Sequence, residues 1–179
     1  MESAGLTSIA GIGKLKKLTY LDIDSNSVKD VSEVNQLTEL QELYMSNNGI
    51  SDIGAVKDLK KIKKLYISSN GIKDITSLSN LTSLTHLALS YNGLTNINAL
   101  GKLTNLNSLY LQGNSINNIG VLADLKNLTT LDLSDNSIND VSALSQLTKL
   151  KYLYLKGNPL SSGAISALRD ALPNCDITF

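Results

Sequence analysis

The 179-residue sequence has no tryptophan, one phenylalanine, one cysteine and one histidine. A single thiol, Cys175, excludes an internal disulfide and leaves the redox compartment open. A single histidine, His86, excludes a histidine-cluster metal site. Basic and acidic side chains balance at 16 each, so the chain as a whole offers no field to draw in nucleic acid or an anionic membrane. No apolar run approaches the ~20 residues of a membrane-crossing helix. The start, Met1-Glu2-Ser3-Ala4-Gly5, lacks the basic and apolar regions of a signal peptide. With so few aromatics, the core must be aliphatic, which suits a regular structure filled by repeated small wedges.

What is present is a repeat. Leu18, Leu40, Ile62, Leu84, Leu106, Leu128 and Leu150 recur at a constant 22-residue interval. Each opens the pattern L-x-x-L-x-L-x-x-N-x-I-x-x-I-x-x-L-x-x-L-x-x, seen cleanly at Leu84, Leu87, Leu89, Asn92, Leu94, Ile97, Leu100 and Leu103. Leu87 and Leu89 stand two apart, as on one face of a short strand. Leu94, Ile97, Leu100 and Leu103 stand three apart, the period of a 3₁₀ turn. Each unit is thus predicted as a strand, a turn at the asparagine and a compact return. One coil cannot bury its own apolar side, whereas stacked coils bury all of them together. The expected fold is an α/β solenoid with a parallel concave sheet, 3₁₀-like convex returns and a C-terminal helix-strand cap. Residues 1–17 form a partial first repeat, 18–160 hold seven repeats, and 161–179 form the cap.

The asparagine recurs at 26, 48, 70, 92, 114, 136 and 158. A carboxamide donates and accepts at once, so stacked asparagines can satisfy the backbone of adjacent turns. Asn48-Gly49, Asn70-Gly71 and Asn92-Gly93 alone would suggest β-hairpins. The repeat overrides that reading, because every neighbouring leucine already has a place in the solenoid.

These residues resemble the 22-residue class of leucine-rich repeats found in bacterial internalins and in eukaryotic phosphatase-regulatory proteins. The resemblance implies a non-enzymatic module that binds another protein, and the internalin side of it implies a bacterial cell-surface or secreted location; a cytoplasmic location is the alternative. An internalin carries a helical cap ahead of its repeats. Here Leu6, Ile9, Ile12 and Leu15 align instead with the return half of the next unit. The chain is therefore expected to be cut from something longer, with an uncapped end open to end-to-end self-association. At the other end, Ser161 and Ser162 can cap a helix over roughly 163–171, which Pro173 ends. Leu172, Cys175 and Ile177 fall one repeat length after Leu150, Leu153 and Leu155, so Cys175 is expected at a core leucine position in a closing strand.

Residues between the inward leucines point out of the concave sheet. Tyr20, Asp22, Tyr44, Lys64, Tyr66, His86, Tyr110, Asp132, Tyr152 and Tyr154 are the candidate partner-binding residues. Six of the seven tyrosines lie in these columns, Tyr91 lies just beyond, and no aromatic falls on the returns. Tyrosine combines a large apolar body with a polar tip and suits interface anchoring; a general strand preference for tyrosine is the bland alternative. A shallow sheet fits a protein or peptide rather than a small molecule, and no cofactor, metal, nucleic acid or inserted membrane is expected.

Sharper chemistry is set aside on residue grounds. Asp22 through Glu33 approximates an EF-hand loop. Ser27, however, replaces its turn glycine, and Ile23, Val28 and Val31 belong to the core. Gly11-Ile12-Gly13 lacks the strand, final glycine and helix of a dinucleotide loop. No nucleophile arrangement surrounds a serine or the cysteine. The run Lys57, Lys60, Lys61, Lys63 and Lys64 reads as a solvated surface, with an acidic patch on a partner as the alternative. Two readings rival partner binding: an architectural spacer within a larger protein, and an intracellular regulatory subunit that binds an enzyme.

Overall fold

The computed structural model describes residues 2–179. Its strands are β1 (Tyr20–Asp22), β2 (Glu42–Tyr44), β3 (Lys64–Tyr66), β4 (His86–Ala88), β5 (Ser108–Tyr110), β6 (Thr130–Asp132), β7 (Tyr152–Tyr154) and β8 (Asp176–Thr178). They form one parallel sheet in sequence order. From β1 to β7 the register never slips, and Leu21, Leu43, Leu65, Leu87, Leu109, Leu131 and Leu153 align as a single row. That row is buried, with Leu43 through Leu153 fully so. The returns pass through 3₁₀ turns such as Ser32–Gln36, Asn98–Lys102 and Gly120–Asp124. Each buries one apolar residue, Val34, Leu100 or Leu122, in the same core.

Asparagine joins one coil to the next. The Ile72 N–H donates to Asn92 Oδ1 at 3.2 Å, while Asn92 Nδ2 donates to the carbonyls of Leu89 and Ile67, both at 3.0 Å. The same exchange recurs at Asn48, Asn70, Asn114, Asn136 and Asn158. Asn92, Asn114 and Asn136 are buried, where an unmade hydrogen bond is costly.

Two further columns support this ladder. The residue before each asparagine adopts a left-handed backbone: Ser25, Asn47, Ser69, Tyr91, Gly113, Asp135 and Gly157, all with φ between 53° and 78°. Five are not glycine and so carry a steric cost. Interstrand hydrogen bonds hold them there, as where the Tyr91 N–H donates to the Gln112 carbonyl at 2.8 Å. Gly113 is needed for space as well, because a Cβ there would lie 2.3 Å from the Tyr91 ring. The second column opens each return. Asp30, Asp52, Asp74, Asn96, Asn118 and Asp140 each accept from the backbone N–H two residues on, at 2.7 to 2.9 Å.

The cap departs from the 22-residue expectation. Helix α1 (Ser162–Ala171) starts one residue before the expected 163, with Ser161 Oγ accepting from the Ala164 N–H. Leu168 and Leu172 close the core. The helix lengthens the last coil, because Leu153 pairs with Ile177 and not with Cys175, two positions earlier. Cys175 therefore precedes the strand and is half-buried. Ile177 takes the leucine position expected for Cys175. The same two-residue offset carries Phe179 to the place one coil beyond Leu155, where it packs against the core under the Arg169 guanidinium, 4.9 Å from its ring centre.

Two substitutions separate the contributions. Asn92→Ala strands the Ile72 N–H, while the Ile67 and Leu89 carbonyls keep Asn70 and Asn114 as donors, and is expected to cost about 1–3 kcal/mol. Leu109→Ala opens the fully buried leucine row and is expected to cost about 2–5 kcal/mol. Urea unfolding followed by circular dichroism measures both; an Asn92→Ala chain with unchanged stability would remove the ladder from the account.

Candidate binding face

The three-residue strands leave two side chains each on the open face, and in-register pairing stacks them in rows about 4.8 Å apart. Neighbouring strands therefore bring equivalent side chains into direct contact. Tyr44 and Tyr66 stack with ring centres 4.8 Å apart and planes 6° from parallel, and Tyr20 leans on Tyr44 at 5.5 Å. The Tyr44 hydroxyl donates to Glu42 Oε2 at 3.0 Å, and Lys64 Nζ lies 3.1 Å from Glu42 Oε1. This chain of contacts spans β1 to β3 and packs the three rings against one another.

The ionisable groups register that packing. Burial, followed by the Glu42 hydrogen bond, pushes the Tyr44 phenol far above its ordinary value. Burial, followed by Tyr110, raises Tyr66. Lys64, followed by Tyr44, holds Glu42 below the usual carboxylate range. Burial and then Lys64 lower His86, whose Nδ1 sits 2.9 Å from the Thr85 hydroxyl.

Of the residues expected to bind a partner, Tyr20, Asp22, Tyr44, Lys64, Tyr66 and His86 fall on adjacent strands β1–β4. His86, expected to lie exposed, is half-buried. Tyr110 follows across the small, buried Ala88. Tyr152 and Tyr154 stand apart on β7, exposed at 49% and 38%, about four strand spacings from Tyr66. Asp22 and Asp132 each commit one carboxylate oxygen to the backbone N–H two residues on. Glu42, absent from the sequence-based set, links the tyrosine stack to Lys64. Its signal was available in the repeat, since Glu42 and Lys64 occupy equivalent positions one coil apart. The carboxylates of the approximate EF-hand loop are engaged elsewhere: Asp30 accepts from the Ser32 N–H, and Glu33 from the Gly11 and Gly13 N–H groups. Among the described residues no group of His, Cys, Asp or Glu is placed to hold a metal ion, and no helix is long and apolar enough to cross a membrane.

A parallel sheet of three-residue strands, an asparagine at each turn and 3₁₀ returns define a leucine-rich-repeat solenoid. The chain belongs to the leucine-rich-repeat family and within it is internalin-like: family models described as leucine-rich repeat match residues 60–116 and 104–160, and one described as two copies of the repeat matches 38–80. An internalin (inlF) of Listeria monocytogenes is 31% identical over 97% of this chain and 51% of its own, with a TM-score of 0.93. Internalin C2 of the same organism is 37% identical over 98% of this chain and 77% of its own, also at 0.93. A leucine-rich-repeat protein of Leptospira interrogans is 25% identical over 94% of this chain and 50% of its own, at 0.77. The chain thus spans about half the length of the first and third of these structures. No curated protein matches it by sequence.

The lowered His86 value has a definite sign. The folded imidazole holds its proton less readily than the unfolded one, so the unfolded state carries more protons between the depressed value and the ordinary 6.5. Stability should rise with pH through that window and level off above it, and His86→Asn should flatten the rise. Proton NMR of this single histidine should give a midpoint below 6.5; a midpoint at or above it contradicts the burial account.

Proposed function

We propose that the chain is a non-catalytic interaction module that holds a protein or peptide partner on its sheet face, within a bacterial surface or secreted protein. The observation that carries this reading is the Tyr20–Tyr44–Tyr66 stack, whose central ring is tied to Glu42 and through it to Lys64. Binding costs conformational entropy wherever a side chain must be immobilised. Rings already held by their neighbours avoid most of that cost and still present apolar area and hydroxyl groups. Eight strands about 4.8 Å apart give a sheet roughly 34 Å long, enough with side-chain relief to approach the ~800 Å² per partner of stable complexes. The Listeria relatives support the surface or secreted location.

The architectural reading has one feature in its favour: Leu15 is exposed at 53% beside β1, and β1 pairs on one side only among the described strands. The two readings part on one experiment. A pull-down from host and bacterial lysates compares the chain with a Tyr44→Ser, Tyr66→Ser, Tyr110→Ser variant whose circular dichroism is unchanged. A protein captured by the parent and lost from the variant is the expected result. Equal capture by both, or none by either, would reject the tyrosine face as the binding surface and favour a spacer role.

A further inference from the structure

Zero net charge conceals a segregation across the width of the solenoid. On the edge where the returns lead into the strands, Lys14, Lys16 and Lys17 precede β1, and Lys60, Lys61 and Lys63 precede β3. Lys102 and Lys126 lie on the same edge ahead of β5 and β6, and Lys149 and Lys151 flank the turn into β7. All are exposed. The acids on this edge are Glu39, Asp58 and Asp124. The edge where the strands exit carries Asp24, Asp30, Asp52, Asp74, Asp135 and Asp140, opposed by Lys29, Lys73 and Lys156.

The lysine edge is mostly uncompensated. Among the described residues only Lys61 on this edge meets a carboxylate, Glu39 at 2.7 Å. Lys16, Lys60 and Lys149 rest their ammonium groups on neutral oxygens of Gln36, Lys57 and Asn127, at 2.6 to 2.7 Å. These contacts orient the charge without cancelling it.

We infer that this edge binds a linear anionic polysaccharide along the solenoid axis. The cations are spread along a line rather than gathered in a patch. Lysines enter ahead of β1, β3, β5, β6 and β7, so successive groups stand one or two coils apart, about 5 to 10 Å along the axis. Every basic residue on the edge is lysine, a compact point charge on a flexible stem, not the planar arginine fork suited to bidentate phosphate recognition. The exposed aromatics that border it, Tyr20 and Tyr152, open β1 and β7, six coils apart, too far for successive bases of a single-stranded nucleic acid to stack on them. Lysine is depleted from the cores of protein–protein interfaces. A chain of regularly spaced sulfates or carboxylates meets all of these features. The inference uses different residues from the tyrosine stack, although Tyr20 and Tyr152 border this edge at the start of β1 and β7.

The test measures binding of heparin and of hyaluronan to the full chain at about 0.15 M salt and across a salt series. The arms separate sulfate from carboxylate as the recognised group. A variant with Lys60, Lys61, Lys63, Lys149 and Lys151 changed to Gln is expected to bind about tenfold more weakly or worse, with a shallower dependence on salt. Lys29→Gln with Lys73→Gln, on the opposite edge, should bind as the parent does. Circular dichroism confirms the fold of each. The inference is overturned by failure of both polysaccharides to bind, by equal loss in the two variants, or by no loss in either. Tighter binding of polyglutamate or duplex DNA than of either polysaccharide also overturns it, in favour of an acidic protein or a nucleic acid. Loss of polysaccharide binding with protein capture intact, or the reverse, keeps this inference and the tyrosine-face reading separately testable.

Discussion

The asparagine exchange between neighbouring coils is the interaction on which the rest of this structure depends. A solenoid has to turn its chain sharply twice in every coil, and each turn brings backbone groups out of the sheet ladder and into the core. Asn92 shows how that is resolved: one carboxamide serves the turn of its own coil through the Leu89 carbonyl and the preceding coil through Ile67 and Ile72. Because each asparagine acts on the coil before it, the turns cannot be satisfied singly. Stacking and turn formation become one event, which is the physical content of nearest-neighbour stability in repeat folds.

That coupling also sets what each turn tolerates. Serine, asparagine, tyrosine and aspartate all occupy the left-handed position before the asparagine, where a lone turn would favour glycine. The hydrogen bond to the next coil holds the conformation, leaving the side chain free to vary. Tyr91 uses that freedom to lie over Gly113. Asp135 in the same way lies over Gly157 and accepts from Gln112 Nε2 at 3.2 Å; nothing in the structure explains the choice of Asn47 or Ser69.

In-register stacking has a second consequence, for the surface. A residue type repeated at one position of the repeat becomes a row in space, about 4.8 Å per step. Tyrosine at successive positions becomes a stack of rings, and an acid followed one coil later by a base becomes an ion pair, as with Glu42 and Lys64. Lysine repeated ahead of the strands becomes an edge of charge that the overall balance of 16 and 16 conceals. Both surfaces follow from one rule, and they adjoin where the strands begin.

Fold, strand positions, turn asparagines and the tyrosine columns were all legible in the sequence by itself, because a constant 22-residue interval converts sequence position directly into spatial position. The same arithmetic failed at the end of the chain. Cys175 was expected in the leucine row on the interval alone. Instead, an α-helix started by the Ser161 cap replaced the shorter 3₁₀ return, lengthened the coil by two positions and moved Ile177 into that place. Tertiary structure alone decided how side chains of one row meet: that Tyr44 lies flat on Tyr66, that Glu42 joins the stack to Lys64, and that His86 is half-buried among them. Periodicity determines which residues are neighbours; the rotamers they adopt are settled only when the neighbouring coil is in place to pack against.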